Sequence, residues 1–425
     1  MKPLQAEVTI DRIGQQGDGV AALDIGTVYV PATVPGDRVR VALTNRGGGR
    51  LQGRMLEVLS PGPARIKPPC PHFTQCGGCT LQHLEDQVYA NWKRDLLLHV
   101  LSRNGLTANT IEDLHRSPPG SRRRATFAVI RRKADTVVGF HAHHSHQVID
   151  LTVCPVVASP IANLIPAIRR WAGTALKADE AAEVFVAQTD SGLDLLVRTT
   201  ACLSSDGRDS LVGLLSEHDL ARVSWAPSRR DEAEILAEAR QVRAVCGDIP
   251  VDLAPGAFGQ ATPDGEAALV GFVRQETGGA KKAADLFCGF GAFALPLARN
   301  GCEVFAVDID RTAVANLGAA ARQAGVPNLG VEQRNLMRKP IPADRLAGND
   351  VVILDPPRVG AKAQMAEIAT SKTPCVIAIS CNPGTFARDA QILIHQGYVL
   401  SRILPVDQFI WSPHLEIAAR FDFAG

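Results

Sequence analysis

The rhythm of apolar and polar positions changes twice along the chain. Over residues 1–60 they alternate in short runs, "AEVTIDRIG", "GVAALDIGTVYVPAT", "DRVRVALTN" and "LQGRMLEVLS". A period of two sends side chains to opposite faces of strands, and glycine-rich turns at this spacing predict a small β-barrel. "VPGD" at 34–37 makes a tight turn, and "SPGPARIKPPC" at 60–70 a proline-rich linker. Leu84, Val88, Trp92 and Leu96 then recur at helical spacing within 80–105, with Gly105 placed as a C-cap. Strand-like patterns return over 120–200 around one helical piece, "PIANLIPAIRRWAG". "AEVFVAQTDSGLDLLVRTT" at 182–200 reads as a hairpin with an Asp-Ser-Gly turn. Residues 201–250 have no decisive period.

From about residue 265 the pattern becomes regular. A helical stretch, "DGEAALVGFVRQETGG", precedes "AADLFCGFGAFALPLARNG", "CEVFAVDID", "RTAVANLGAAARQAG", "NLGVEQRN", "DVVILDPPR" and "PCVIAISCNP". Strands alternating with helices of ordinary length predict a doubly wound parallel sheet. The chain of 425 residues is long enough for two or three domains. No run approaches the roughly 18 apolar residues of a membrane span. "MKPLQAEVTIDRIG" has no signal-peptide h-region, so a cytoplasmic protein without a membrane partner is expected.

Charge changes this picture locally. The net charge is only +1, yet "GSRRRATFAVIRRK" at 120–133 gathers five Arg and one Lys, and "TNRGGGRLQGR" at 44–54 is also basic. Basic stripes on a near-neutral chain suggest a docked polyanion, with Arg122, Arg123 and Arg124 as RNA contacts; the plainer alternative is a solvated strand face. Ten cysteines in a cytosolic chain suggest metal ligands or catalytic thiols rather than a disulfide framework.

Four constellations carry candidate chemistry. In "DLFCGFGAF" an apolar strand end meets Gly289 and Gly291, which let backbone approach a ligand. One strand on, Asp308 sits where a carboxylate binds ribose hydroxyls, and Asn335 follows the next strand. There is no phosphate-loop GK[ST] and no third dinucleotide glycine, so S-adenosylmethionine fits better than NAD; a structural strand–helix turn is the alternative. "LDPPRVG" places Asp355 at the mouth of the same sheet, where such enzymes touch the substrate nucleobase, although Asp-Pro also makes plain turns. Cys381 in "SCNP" ends a buried strand; a thiol there is a candidate nucleophile or a packing residue. Glu416, before the last strand, is a candidate base. "CPHFTQCGGC" sets Cys70, Cys76 and Cys79 at C-x5-C-x2-C spacing, with Cys154 remote. That set suits a [4Fe–4S] cluster, while zinc more often uses two CxxC pairs. His72 and the histidines of "FHAHHSHQ" could compete as ligands, but read better as strand and turn contacts.

"SCNP", "DPPR.GA", "CxxxxxCGGC" and a late "HLE", in one chain, resemble the RNA uracil-5-methyltransferase family. The resemblance covers nearly the whole chain and runs nearest to its bacterial 23S rRNA branch. It implies an N-terminal OB-like (TRAM) RNA-binding barrel at 1–60 and a central α+β region at 61–255 carrying the cluster. A Rossmann-like methyltransferase domain would occupy 256–425, with a helix at about 80–115 packed on it. It further implies Cys381 as nucleophile, Glu416 as the base that removes the C5 proton, and Gln260, Phe287, Asp308, Asn335 and Asp355 around S-adenosylmethionine. A monomer acting on 23S rRNA is expected, with the tRNA T-loop as the alternative substrate. Two positions depart from the family: Thr262 and Ala292 stand where asparagines are usual, which puts individual cofactor contacts in question. Cytosine-C5 enzymes use "PCS" or "TCS", absent here. A non-catalytic RNA-binding iron–sulfur protein is the rival class.

Overall fold

The computed structural model describes residues 4–45 and 47–425; Met1–Pro3 of the N-terminal module and Arg46 of the basic stretch at 44–54 lie outside the described residues. Three large sheets succeed one another. The first has six strands, in the order Leu4–Thr9, Arg38–Asn45, Arg50–Ser60, Gly26–Val30, Gly19–Leu23 and Arg12–Ile13. Its pairs are antiparallel except Gly26–Val30 with Arg50–Ser60. The alternation seen in the sequence buries Val8, Val28, Val30, Val39 and Val41 in one cluster.

The second sheet has seven strands and begins its central hairpin where the pattern at 182–200 predicts one. Ala181–Thr189 pairs with Gly192–Thr199 across the Asp190–Ser191 turn. Residues 201–250, unreadable from period, form the helix Ser205–Glu217 and the strands Leu220–Ala226, Glu234–Glu238, Arg243–Cys246 and Ile249–Asp252. Ser204 caps that helix by accepting the Gly207 N–H. Apolar residues of Leu220–Ala226 are buried on both faces, so no alternation marks the strand.

The third sheet has nine strands. Leu329–Gln333, Glu303–Asp308, Lys282–Leu286, Val351–Leu354 and Cys375–Ser380 run parallel, in that spatial order. Glu416–Phe423 and Tyr398–Asp407 then add antiparallel pairs. Two apolar layers cover the sheet. One contains Leu97, Leu101, Ile368, Phe386 and Leu393; the other Leu269, Phe272, Leu295 and Leu317. The strand order reverses on either side of Lys282–Leu286, and ligands of open α/β sheets bind outside the carboxyl ends at such a point.

The helix expected at about 80–115 is shorter, Asp86–Arg103. Glu85 stops it from starting earlier, because its carboxylate accepts the N–H groups of Gln87 and Val88. Beyond Gly105, whose φ is +63°, Thr110–Ile111 and His115–Arg116 pair in parallel with Tyr398–Asp407 and extend the third sheet. Among the described residues no helix is long and apolar enough to cross a membrane.

Candidate active site

Strand register gathers the site. In the antiparallel ladder Ser380 lies opposite Ile417, so Cys381 and Glu416 leave the sheet side by side. Asp355 follows Leu354, which pairs with Ala378 on the same strand that leads to Cys381. Phe287 follows Leu286, and Asp308 ends the next strand. Gln260, Phe287, Asp308, Asn335, Asp355, Cys381 and Glu416 all line one cavity of about 740 Å³.

The glycine-rich turn is shaped by close packing. Gly291 has φ +94°, and a Cβ there would collide with Leu317. Phe287, not a glycine, holds φ +63°, a left-handed conformation that costs on the order of 1–3 kcal/mol and often marks a ligand site. Asp308 supports the turn, accepting the Gly289 N–H at 2.9 Å and the Asp310 N–H at 2.8 Å. Asn335 accepts the N–H groups of Met337 and Arg338 through its oxygen. Of the two departures, Ala292 lines the cavity, whereas Thr262 does not. The Thr262 hydroxyl instead caps the helix Pro263–Glu276 and meets Ser117 Oγ at 2.8 Å.

The electrostatics favour neutral acids. Burial and the neighbouring charges of Glu416 and Asp355 push the Cys381 thiol up to about 11, and Arg358 opposes them. Glu416 is raised by burial and by Asp355, with Gln408 and Arg124 pulling the other way. Burial also raises Asp355, while a hydrogen bond from Gln260 Nε2 at 2.9 Å lowers it. Asp285, which the sequence does not single out as a site residue, is fully buried. Burial and the charges of Asp355 and Asp308 push its carboxyl up, and the Ala294 backbone opposes them.

The three arginines are placed differently. Arg122, Arg123 and Arg124 do not form one solvated stripe. Arg122 faces the cysteine-lined cavity on one side and the Phe409 ring on the other. Arg123 is engaged internally by Glu266 and by the Gln260 carbonyl. Only Arg124 reaches the large cavity, stacked 4.2 Å from the centre of the exposed Phe258 ring.

Cys70, Cys76, Cys79 and Cys154 line a second cavity, of about 400 Å³. The tight CGGC turn passes under another strand end: a Cβ on Gly77 would meet the His141 carbonyl oxygen at 2.7 Å. Among the described residues no three His, Cys, Asp or Glu side chains are grouped as ligands of one metal ion. The loop is tied to the segment between Asp407 and Glu416. Thr80 and Leu81 both donate backbone N–H groups to the Trp411 carbonyl, and Trp411 (φ +56°) donates its own N–H to Tyr89 Oη at 2.8 Å.

A Rossmann-like sheet with a glycine-rich turn and a carboxylate at the next strand end is a nucleotide-cofactor fold. Residues 255–421 match the tRNA (Uracil-5-)-methyltransferase family. An uncharacterized RNA methyltransferase of Brucella suis is 38% identical, covering 97% of each chain. A 23S rRNA (uracil(1939)-C(5))-methyltransferase of Alkalilimnicola ehrlichii is 32% identical over 98% of this chain and 96% of its own. The Pyrococcus abyssi tRNA (uracil-54, C5)-methyltransferase, solved with S-adenosyl-L-homocysteine, superposes with a TM-score of 0.76 at 22% identity, covering 98% of this chain and 100% of that one. The chain belongs to the RNA uracil-5-methyltransferase family, whose enzymes depend on S-adenosylmethionine.

Proposed function

We propose that this enzyme methylates C5 of a uridine in 23S rRNA through a covalent Cys381 intermediate. The observation that carries the reading is the adjacency of Cys381 and Glu416 on neighbouring strand ends, inside the cavity that also holds Asp355. Uracil C5 is too weak a nucleophile to react unaided. Addition of the Cys381 thiolate at C6 makes C5 enolate-like, which splits one hard step into easier ones. S-adenosylmethionine, which Gln260, Phe287, Asp308, Asn335 and Asp355 would hold, would supply the methyl group to C5 and leave as S-adenosylhomocysteine. Glu416 then takes the C5 proton; the C5–H electrons form the C5–C6 double bond, and the C6–S pair returns to Cys381. The target base must leave its stack to expose both faces.

Ribosomal RNA is the expected substrate because the Alkalilimnicola enzyme is similar along nearly its whole length. Mass spectrometry of RNA from a deletion strain tests this. One 5-methyluridine should vanish from 23S rRNA; its loss from tRNA alone would transfer the reading to the T-loop.

The six-stranded N-terminal module is proposed as the OB-like TRAM barrel that holds flanking RNA, with Arg124 nearest the target nucleotide. Arg124→Ala should weaken RNA binding and reduce the salt slope by about one phosphate contact, leaving cofactor binding unchanged. An unaltered affinity would remove Arg124 from the interface.

Cys70, Cys76, Cys79 and Cys154 are proposed as ligands of a [4Fe–4S] cluster. Each thiolate of such a cluster binds its own iron, so four ligands need not converge on one point as ligands of a single ion do. Arg122 supports the fit: its guanidinium faces Cys79 and Cys154 and has no carboxylate partner among the described residues. A cation so placed suits an anionic group in that cavity. Anaerobically purified protein should be brown and contain iron and sulfide, and Cys79→Ser should lose both. Stoichiometric zinc without iron would contradict the assignment.

A further inference from the structure

Gln408 lies just past the strand Tyr398–Asp407 and is 2% exposed. Its Oε1 accepts the Ala261 backbone N–H at 3.0 Å. A backbone N–H can only donate, so the oxygen end of this amide is fixed and its NH2 group must face the other way. There it donates to Glu416 Oε2 at 2.8 Å and to Gln260 Oε1 at 2.9 Å. Gln260 is oriented in turn, and its own NH2 donates to Asp355 Oδ2 at 2.9 Å. One backbone donor therefore sets two amides, and both buried carboxylates receive an N–H. Arg123 braces the origin of this chain: its backbone N–H donates to the Ala261 carbonyl and its Nε to the Gln260 carbonyl.

We propose that Gln408 is a positioning residue that holds Glu416 as a proton acceptor, and that the Gln408–Gln260 pair links Glu416 to Asp355. The proposal rests on the role of Glu416 given above. An N–H donor pointed at a carboxylate oxygen favours its ionised form, the form that can take a proton from C5. The other groups facing Glu416 are few. Asp355 opposes ionisation and Arg124 favours it, while the Cys381 thiol is its neighbour on the adjoining strand. Arg358 acts on the thiol from the Asp-Pro-Pro loop. Gln408 is the neutral donor that offsets part of the rise at Glu416, with almost no solvent to replace it. The proton taken by Glu416 comes from C5 after methyl transfer, so Gln408 should affect that step and not thiolate addition.

Two readouts separate these steps. RNA carrying tritium at uracil C5 releases it to water only when the base acts. RNA carrying 5-fluorouridine forms a lasting adduct that needs the thiolate and the methyl transfer but no proton removal. In Gln408→Met, similar in size but without a donor, the rising limb of the tritium-release profile should move up by about one to two pH units, the loss of one hydrogen bond to a charged group. Below that limb, release should fall about 10–100-fold and recover as the pH rises. At saturating S-adenosylmethionine the rate of 5-fluorouridine adduct formation should change far less than tritium release, and its pH profile should not follow the shifted limb. Should Gln408→Met fail to fold, Gln408→Asn, which keeps the amide but withdraws it, should shift the same limb by less. An unshifted limb in the folded variant overturns the proposal for Gln408 alone. A Glu416→Gln variant that releases tritium at the wild-type rate overturns instead the assignment of the base.

Discussion

Cys381→Ala should abolish methylation while leaving S-adenosylmethionine and RNA binding intact, and Glu416→Gln should fail differently. Without the thiol no covalent bond to C6 forms, and no other cysteine lines the large cavity except Cys288 of the glycine-rich turn. Cys288 is buried and follows Lys282–Leu286, with two strands between it and the strand that begins at Glu416, so it is not placed to replace Cys381. Glu416→Gln leaves addition and methyl transfer possible but removes the acceptor for the C5 proton. General-base loss costs roughly 10²–10⁴ in rate, so the variant should accumulate a protein–RNA adduct visible on a denaturing gel. The same groups set the pH dependence. The Cys381 thiol is raised to about 11, and Glu416 is raised as well, so both required ionisations become more complete with rising pH. Turnover should therefore climb from neutral into alkaline pH; a profile falling over that range would contradict these roles.

Lys93→Ala should be the most destabilising substitution outside the site, by about 3–5 kcal/mol, because it strands a buried charge. Lys93 and Asp407 are both fully buried and paired at 2.8 Å. Tyr89 Oη donates to the other Asp407 oxygen at 2.6 Å, and Lys93 also reaches the His414 carbonyl. The helix Asp86–Arg103 is thereby fastened to the segment between Asp407 and Glu416. Lowered thermal stability and faster hydrogen exchange over 407–416 should accompany the loss. Lys93→Met with Asp407→Leu should recover much of the stability, since neither charge is then left alone. If Lys93→Ala melts with the wild type, the pair contributes nothing net.

The methyltransferase half was legible because its chemistry follows strand ends. Apolar runs in "VVIL" and "CVIAIS" stop at Asp355 and Cys381, and register does the rest. The short strands Thr110–Ile111 and His115–Arg116 were not, for two residues carry no period and pairing with Tyr398–Asp407 is nonlocal. The separate placements of the three arginines were not legible either, for a related reason. Three adjacent residues in an extended segment point in alternate directions, and the partner that engages Arg123, Glu266, lies 143 positions away. Gln408 gave no signal at all: "VDQFIWSP" is an ordinary stretch, and the amide matters only because Gln260, 148 positions earlier, meets it. Cysteine spacing brought the four thiols to notice, but Arg122 beside them emerges only from the packing.

The central claim is that Cys381 bonds to uracil C6 during methyl transfer. Incubating the enzyme with S-adenosylmethionine and a 5-fluorouridine substrate RNA, then digesting the product and sequencing the crosslinked peptide by mass spectrometry, tests it most directly. The account predicts a methylated fluorouridine attached to the peptide containing "SCNPGTFAR", at Cys381. An enzyme that methylates ordinary uridine yet forms no adduct, or carries it on another residue, would contradict it.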